Sequence, residues 1–231
     1  MPFADDPSLA ATLWLTVTRL GEAQLMLPTA LALVGWLAWT GERRSALVWL
    51  ALLSLAIGLT TASKIAFVGW AVCIPRLNFT GFSGHSMFSA AVFPLLLRCL
   101  AASGERPTQR AAIALGYAVA ALVAMSRVAV GAHSPSEAIA GFALGSVASA
   151  LALALGSVPR RHLPRWLLAV LIAAQFLNPA AAPSLPTNDM VTQLALWMSG
   201  REKPYMRYMM LRDERLRLKA LQAAAPRVPL H

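Results

Sequence analysis

The sequence is a succession of apolar blocks, each about long enough to cross a bilayer core, divided by short loops that hold most of the arginines. Of its 231 residues, 58% are hydrophobic and 13% are charged, whereas soluble domains carry roughly 25% charge. This pattern excludes an ordinary soluble enzyme and a disordered chain. The length suits one domain of about six spans with loops and a tail, so the expected fold is an all-α integral-membrane bundle.

The blocks fall at 23–40, 45–67, 85–102, 111–126, 137–157 and 166–182. Residues 7–20 are too short and interrupted for a span and read as an interfacial helix. Three segments follow: an N-terminal interfacial segment at 1–22, a transmembrane domain at 23–183 and a basic amphipathic tail at 184–231. Within the tail, 203–222 reads as a helix lying on lipid headgroups; the alternative is a lid over the loops. The N-terminus, MPFADDPSLA, has no positive n-region and does not read as a cleaved signal peptide.

The net charge of +10 would suggest nucleic acid in a soluble protein. Here the excess sits in loops, and topology explains it without a nucleic-acid partner. Arg43/Arg44, Arg98/Arg106/Arg110 and Arg160/Arg161/Arg165 occupy alternate loops, which the positive-inside rule assigns to the cytoplasm. The loops at 68–84 and 127–136 then share the outer side. Cys73 and Cys99 fall near opposite faces, so no disulfide framework is expected.

Helix rise places the remaining ionisable groups. Arg44 to Lys64 is about 30 Å of helix, Arg110 to Arg127 about 25 Å, and Glu137 to Arg160 about 35 Å. Each is close to one bilayer core, so Lys64, Arg127 and Glu137 reach the same outer face. His85 opens the third span there, and His133 lies between Arg127 and Glu137. Taken singly, each has an ordinary explanation: a snorkelling lysine, a headgroup anchor, a helix-start histidine, or a loop histidine before a span capped by Ser134 or Ser136 with Glu137 favoured by the helix dipole. Their coincidence on one face is what those explanations leave out, and ionisable groups at spans mark function by default.

Such a set suits phosphoryl transfer. Two fixed cations hold a phosphate dianion, with the arginine fork on two oxygens. Gly84 lets backbone amides approach the anion at a helix start. One neutral imidazole attacks phosphorus while a carboxylate on its other nitrogen fixes the tautomer. A second imidazole protonates the leaving oxygen. Spacing alone leaves open which histidine attacks. With one carboxylate on this face, a magnesium site is not expected, and neither metal nor cofactor is called for.

Phe82-Ser83-Gly84-His85 resembles a P-S-G-H motif, and Ser126-Arg127-x5-His133-x3-Glu137 resembles S-R-x5-H-x3-D. With Lys64 upstream, the ordered set resembles the type 2 phosphatidic acid phosphatase superfamily, related to the vanadium haloperoxidases. The resemblance covers about 64–137 by motif and about 45–182 by span pattern. It implies a metal-free lipid or isoprenoid phosphate phosphatase with a phosphohistidine intermediate. By resemblance, His133 is the nucleophile, Glu137 its orienting carboxylate and His85 the general acid; Lys64, Ser83, Gly84, Arg127 and Ser126 hold the phosphate. Three departures stand out. Phe82 replaces proline, Glu137 replaces aspartate, and Ala71 stands where the family's K-x6-R-P motif has arginine, leaving Arg76 as a candidate second cation.

The expected protein is therefore a lipid phosphatase of a bacterial inner membrane, acting at the periplasmic face on a lipid phosphate among membrane lipids. Two other readings remain open: a phosphotransferase using the same histidine, and a non-catalytic lipid-binding or transport protein.

Overall fold

In a computed structural model of the chain, residues 9–157, Leu163 and 187–224 are described. They form helices α1 (Leu9–Arg19), α2 (Ala23–Trp39), α3 (Arg43–Trp70), α4 (Gly84–Leu100), α5 (Arg106–Ala129), α6 (Pro135–Leu155), α7 (Thr187–Ser199) and α8 (Arg207–Ala224), with a 3-10 turn at Pro75–Leu77. Leu9–Trp39, Arg43–Trp70, Arg106–Ala129 and Pro135–Leu155 are long and apolar enough to cross a membrane; Gly84–Leu100 is apolar but shorter. The chain is an all-α integral-membrane bundle. The block at 166–182 and the loop with Arg160, Arg161 and Arg165 lie outside the described residues.

From α3 to α6 the helices begin earlier, and in α3 and α5 end later, than hydropathy alone suggests, while α2 begins at Ala23 as expected. The third helix includes both Arg43 and Arg44, and α5 starts at Arg106 with Pro107 in its first turn. Arginine is a good helix former and proline suits a first turn, so the hydrogen-bond ladder continues beyond the apolar block.

The centre of the bundle is α4, packed on α5 and α6. Three small residues of α6 spaced by four, Gly141, Gly145 and Ser149, meet the α4 backbone. A Cβ on Gly141 would lie 2.4 Å from the Ser83 carbonyl oxygen, and one on Gly145 would lie 2.1 Å from that of Met87. The run predicts close helix packing, and the structure shows where it occurs. Across α4, Gly116 of α5 meets the backbone of Pro94 in the same way. Leu33, Leu37, Trp49, Met87, Val92 and Cys99 fill the interior between α2, α3 and α4.

These helices alternate in direction. The C-terminal ends of α3 and α5 therefore meet the N-terminal ends of α4 and α6, opposite the end that carries Arg43, Arg44, Arg98, Arg106 and Arg110. Cys73 and Cys99 are free thiols at opposite ends of this stack. The first helix is tied to the bundle: Thr18 is buried, and the α1–α2 turn packs against α5 and α4. The seventh helix packs against α3.

Candidate active site

The first turn of α6 is built from Ser134, Pro135, Ser136 and Glu137. Ser134 is the N-cap; its hydroxyl accepts from the Glu137 amide, and Glu137 Oε2 accepts from the Ser134 amide at 3.1 Å. This reciprocal pair satisfies two amides that a helix start leaves open. The same Oε2 lies 2.9 Å from His133 Nδ1. An ionised carboxylate only accepts, so Nδ1 carries a proton, and in the neutral ring this tautomer leaves the lone pair on Nε2. Nε2 has no partner among the described residues, and the His133 side chain keeps 16% exposure while that of Glu137 has none.

The end of α5 sets the position of His133. Gly131 takes a left-handed conformation at φ +69, the usual close for a helix. The amides of Ala132 and His133 then both fold back onto the Arg127 carbonyl, at 3.0 and 3.1 Å. The Arg127 side chain donates through Nη1 to Thr18 Oγ1 of α1 at 2.8 Å, while its Nε is buried without a partner among the described residues. A buried donor without an acceptor is costly, and an anion at this position would satisfy it.

On the facing element, Ser83 caps α4. Its hydroxyl accepts from the Ser86 hydroxyl at 3.0 Å, and its amide donates to the Glu137 carbonyl at 3.1 Å. That backbone bond ties the start of α4 to the start of α6. The next two residues are Gly84 and His85. The α1–α2 turn lies over His85, where a Cβ on Gly21 would be 3.0 Å from the His85 Cβ. Lys64 sits near the end of α3, under the loop at Gly81, where a Cβ would be 3.4 Å from Lys64 Cγ. The Phe82 amide donates to Ser63 Oγ at 3.1 Å, which pins this loop across α3. The Thr60 hydroxyl, one turn before Lys64, is also buried without a partner among the described residues.

The Ser83–Glu137, His133–Arg127 and Phe82–Ser63 hydrogen bonds bring the starts of α4 and α6 and the ends of α5 and α3 together, so four side chains predicted from the sequence, Lys64, His85, Arg127 and His133, gather at one end of the bundle. With Glu137 bonded to His133, all five do. Two candidates stand apart. Arg76 is exposed on the 3-10 turn and has no hydrogen bond or ion pair with a described residue. Ser126 is buried, and its hydroxyl donates to the Val123 carbonyl of its own helix at 2.6 Å. Ser83, expected at the phosphate, spends its hydroxyl oxygen on the cap.

Other partners of the site were not read from the sequence. Thr80 donates its amide to Glu137 Oε1 at 2.8 Å, and its hydroxyl donates to the same oxygen. Arg207 of α8 donates through Nη2 to both carboxylate oxygens, at 2.8 and 2.6 Å. Thr80 directly precedes Gly81-Phe82-Ser83, a proximity that could have drawn notice. Arg207 stands alone among Met206, Tyr208, Met209 and Met210, which reads as part of an amphipathic helix. Its contact with the site places the start of α8 over the 75–80 loop, on the side of the lid alternative. Among the described residues, no group of three or more His, Cys, Asp or Glu side chains is arranged to hold a metal ion.

The chain is similar to known proteins in sequence and in fold. The family model of the PAP2 superfamily matches residues 60–161, which include every motif residue above. The "uncharacterized 22.5 kDa protein in cps region" of Klebsiella pneumoniae is 34% identical over 199 residues, covering 84% of this chain and 95% of that protein. The crystal structure of a transmembrane PAP2-type phosphatidylglycerolphosphate phosphatase from Bacillus subtilis superposes with a TM-score of 0.52 at 20% identity, covering 65% of this chain and 78% of that one. That identity speaks for the shared fold alone. Together with Lys64, Phe82–His85 and Ser126–Glu137 in order and in space, these matches show that the chain is an integral-membrane protein belonging to the PAP2 superfamily.

Proposed function

We propose that this protein is a lipid phosphate phosphatase that hydrolyses a phosphomonoester or pyrophosphate of a lipid or isoprenoid through a phosphohistidine, without a metal ion. One observation carries the reading: His133 Nδ1 is held by Glu137 Oε2 at 2.9 Å, which leaves Nε2 without a partner among the described residues, at the end of the bundle that also carries Lys64, His85 and Arg127.

In this reading Lys64, Arg127 Nε and the first amides of α4 bind the phosphate oxygens, with Gly84 leaving the amides open. His133 Nε2 attacks phosphorus; the N–P bond forms as the bond to the lipid oxygen breaks. His85 gives its proton to that oxygen. Glu137 accepts the Nδ1 proton as a hydrogen bond and stabilises the cationic phosphoimidazole. His85, now neutral, takes a proton from water, whose oxygen attacks phosphorus and releases His133 and inorganic phosphate.

The reading places the site at the periplasmic face of a bacterial inner membrane, because Arg43, Arg44, Arg98, Arg106 and Arg110 lie at the opposite end. Lipid tails would enter sideways between spans. The Bacillus subtilis neighbour is named for phosphatidylglycerolphosphate, which makes that lipid one of four to test.

The test is phosphate release by purified protein from phosphatidate, phosphatidylglycerol phosphate, an isoprenyl pyrophosphate and a lipid A phosphate. His133→Ala is the control. Release from at least one lipid, with no added acceptor and none from the variant, supports hydrolysis. Dephosphorylation of the lipid only with an alcohol acceptor, giving the phosphorylated alcohol in place of free phosphate, points to phosphotransfer, and equal release by the variant overturns the reading.

A further inference from the structure

We propose that Arg207 is a positioning residue of this reaction: the C-terminal helix α8 delivers its guanidinium to Glu137, and the site is complete only when the tail is docked. This inference rests on the proposed phosphohistidine chemistry.

The Glu137 carboxylate is fully buried. A buried carboxylate is costly unless it is paired and its lone pairs are filled. Every acceptor position is used here. Oε2 takes His133 Nδ1 at 2.9 Å, the Ser134 amide at 3.1 Å and Arg207 Nη2 at 2.6 Å. Oε1 takes the Thr80 amide, the Thr80 hydroxyl and Arg207 Nη2. Neither Lys64 nor Arg127 forms an ion pair with it. Among the described residues, Arg207 is the one permanent cation on this carboxylate.

The chemistry needs such a group. Glu137 serves His133 fully only while ionised; a protonated carboxyl could still accept from Nδ1–H but would lose the charge that stabilises the cationic ring. A guanidinium does not deprotonate in proteins, and its planar fork fixes direction as well as charge. The second arm of the fork is occupied: Nη1 donates to the Asn78 carbonyl at 3.2 Å and to Asn78 Oδ1 at 2.9 Å. Asn78 presents both from a left-handed conformation at φ +50, which asparagine tolerates. With both arms committed, Arg207 acts on the carboxylate and leaves the phosphate to Lys64 and Arg127.

The tail reaches this position by its own packing. Tyr205 donates its amide to the Val68 carbonyl of α3 at 3.0 Å, and its ring stands edge-on to Phe67 with centroids 5.5 Å apart. Gly69 brings α7 against α3, where a Cβ would be 3.1 Å from the Ala195 carbonyl oxygen. Met210, one turn into α8, is buried. Arg207 thus joins three segments distant in sequence: α8, the 75–80 loop and the start of α6.

The experiment uses the full-length protein in detergent with the lipid most rapidly hydrolysed in the screen above. The variants are Arg207→Gln, Arg207→Lys, Glu137→Gln, the Arg207→Gln/Glu137→Gln double, and Arg212→Gln as a control. Arg212 is exposed and paired with Asp213. Arg207→Gln should lower kcat by about 10–100-fold, the usual cost of losing a group that orients a functional side chain, while KM changes little. Arg207→Lys should fall between it and the unmodified protein, because the charge remains and the fork is lost. Added to Glu137→Gln, the Arg207→Gln change should cost little more, because one acts through the other. Arg212→Gln should match the unmodified protein. Unchanged kcat in Arg207→Gln, a change confined to KM, or fully multiplicative losses in the double variant would overturn the proposal. If Arg207→Gln does not fold, the same comparison with Arg207→Lys alone and combined with Glu137→Gln decides it. Activity retained by His133→Ala would instead remove the phosphohistidine reading, whatever Arg207 does.

Discussion

Ser149 of α6 donates a hydrogen bond of 2.7 Å to the carbonyl of Ala90 in α4. Ala90 lies four residues before Pro94, which lacks the N–H that would otherwise pair with that carbonyl. The side chain of one helix thus repairs the ladder of another. Ser149→Ala should lower stability by about 1 kcal/mol, within the range for interhelical hydrogen bonds in membranes. Unfolding in mixed detergent would measure it; no loss would mean that Ala90 finds another donor.

Gly145 should be far less tolerant. A Cβ there would sit 2.1 Å from a backbone oxygen of α4, and the backbone cannot move aside without separating α4 from α6. Gly145→Ala should cost about 3 kcal/mol or more, above the usual overpacking range. Because Gly141 uses the same seam, this variant should also displace Ser83 from Glu137 and lose turnover. Normal thermal stability of Gly145→Ala would contradict the packing.

At position 137, charge should matter more than length. Glu137→Gln keeps the shape but offers an amide to Arg207 and His133, and turnover should fall by about 10³–10⁴-fold, as when a histidine's orienting carboxylate is made neutral. Glu137→Asp keeps the charge and should retain most activity, with the shorter side chain weakening the capping pair. Equal losses in the two variants would assign the residue to folding alone.

The two candidate arginines should separate cleanly. Arg127 has a buried Nε with no partner among the described residues, whereas Arg76 is exposed. Arg127→Ala should reduce kcat/KM by about tenfold to a thousandfold, corresponding to one or two charge-assisted hydrogen bonds. Arg76→Ala should change it little. The reverse order would mean that the 3-10 turn, not the end of α5, supplies the second cation.

Chelation tests the metal-free reading. Excess EDTA, followed by removal of the chelator, should leave phosphate release unchanged. Strict dependence on added magnesium would overturn the assignment of the phosphate charge to Lys64 and Arg127.

What the sequence determined by itself is local or periodic. Apolar runs set the spans, a four-residue spacing of Gly141, Gly145 and Ser149 marked one packing seam, and Ser134 or Ser136 offered a helix cap. Helix rise put Lys64, His85, Arg127, His133 and Glu137 at one end. These follow from neighbours along the chain and from the fixed geometry of a helix. Only the tertiary structure decided which groups surround the carboxylate. Thr80 reaches it from another loop, and Arg207 reaches it across 70 positions. It also decided that Thr18 holds Arg127 and that Arg76 stays exposed. No local pattern encodes such contacts, because they depend on how helices dock. An isolated arginine in a tail gives the same local signal on a headgroup as on a buried carboxylate.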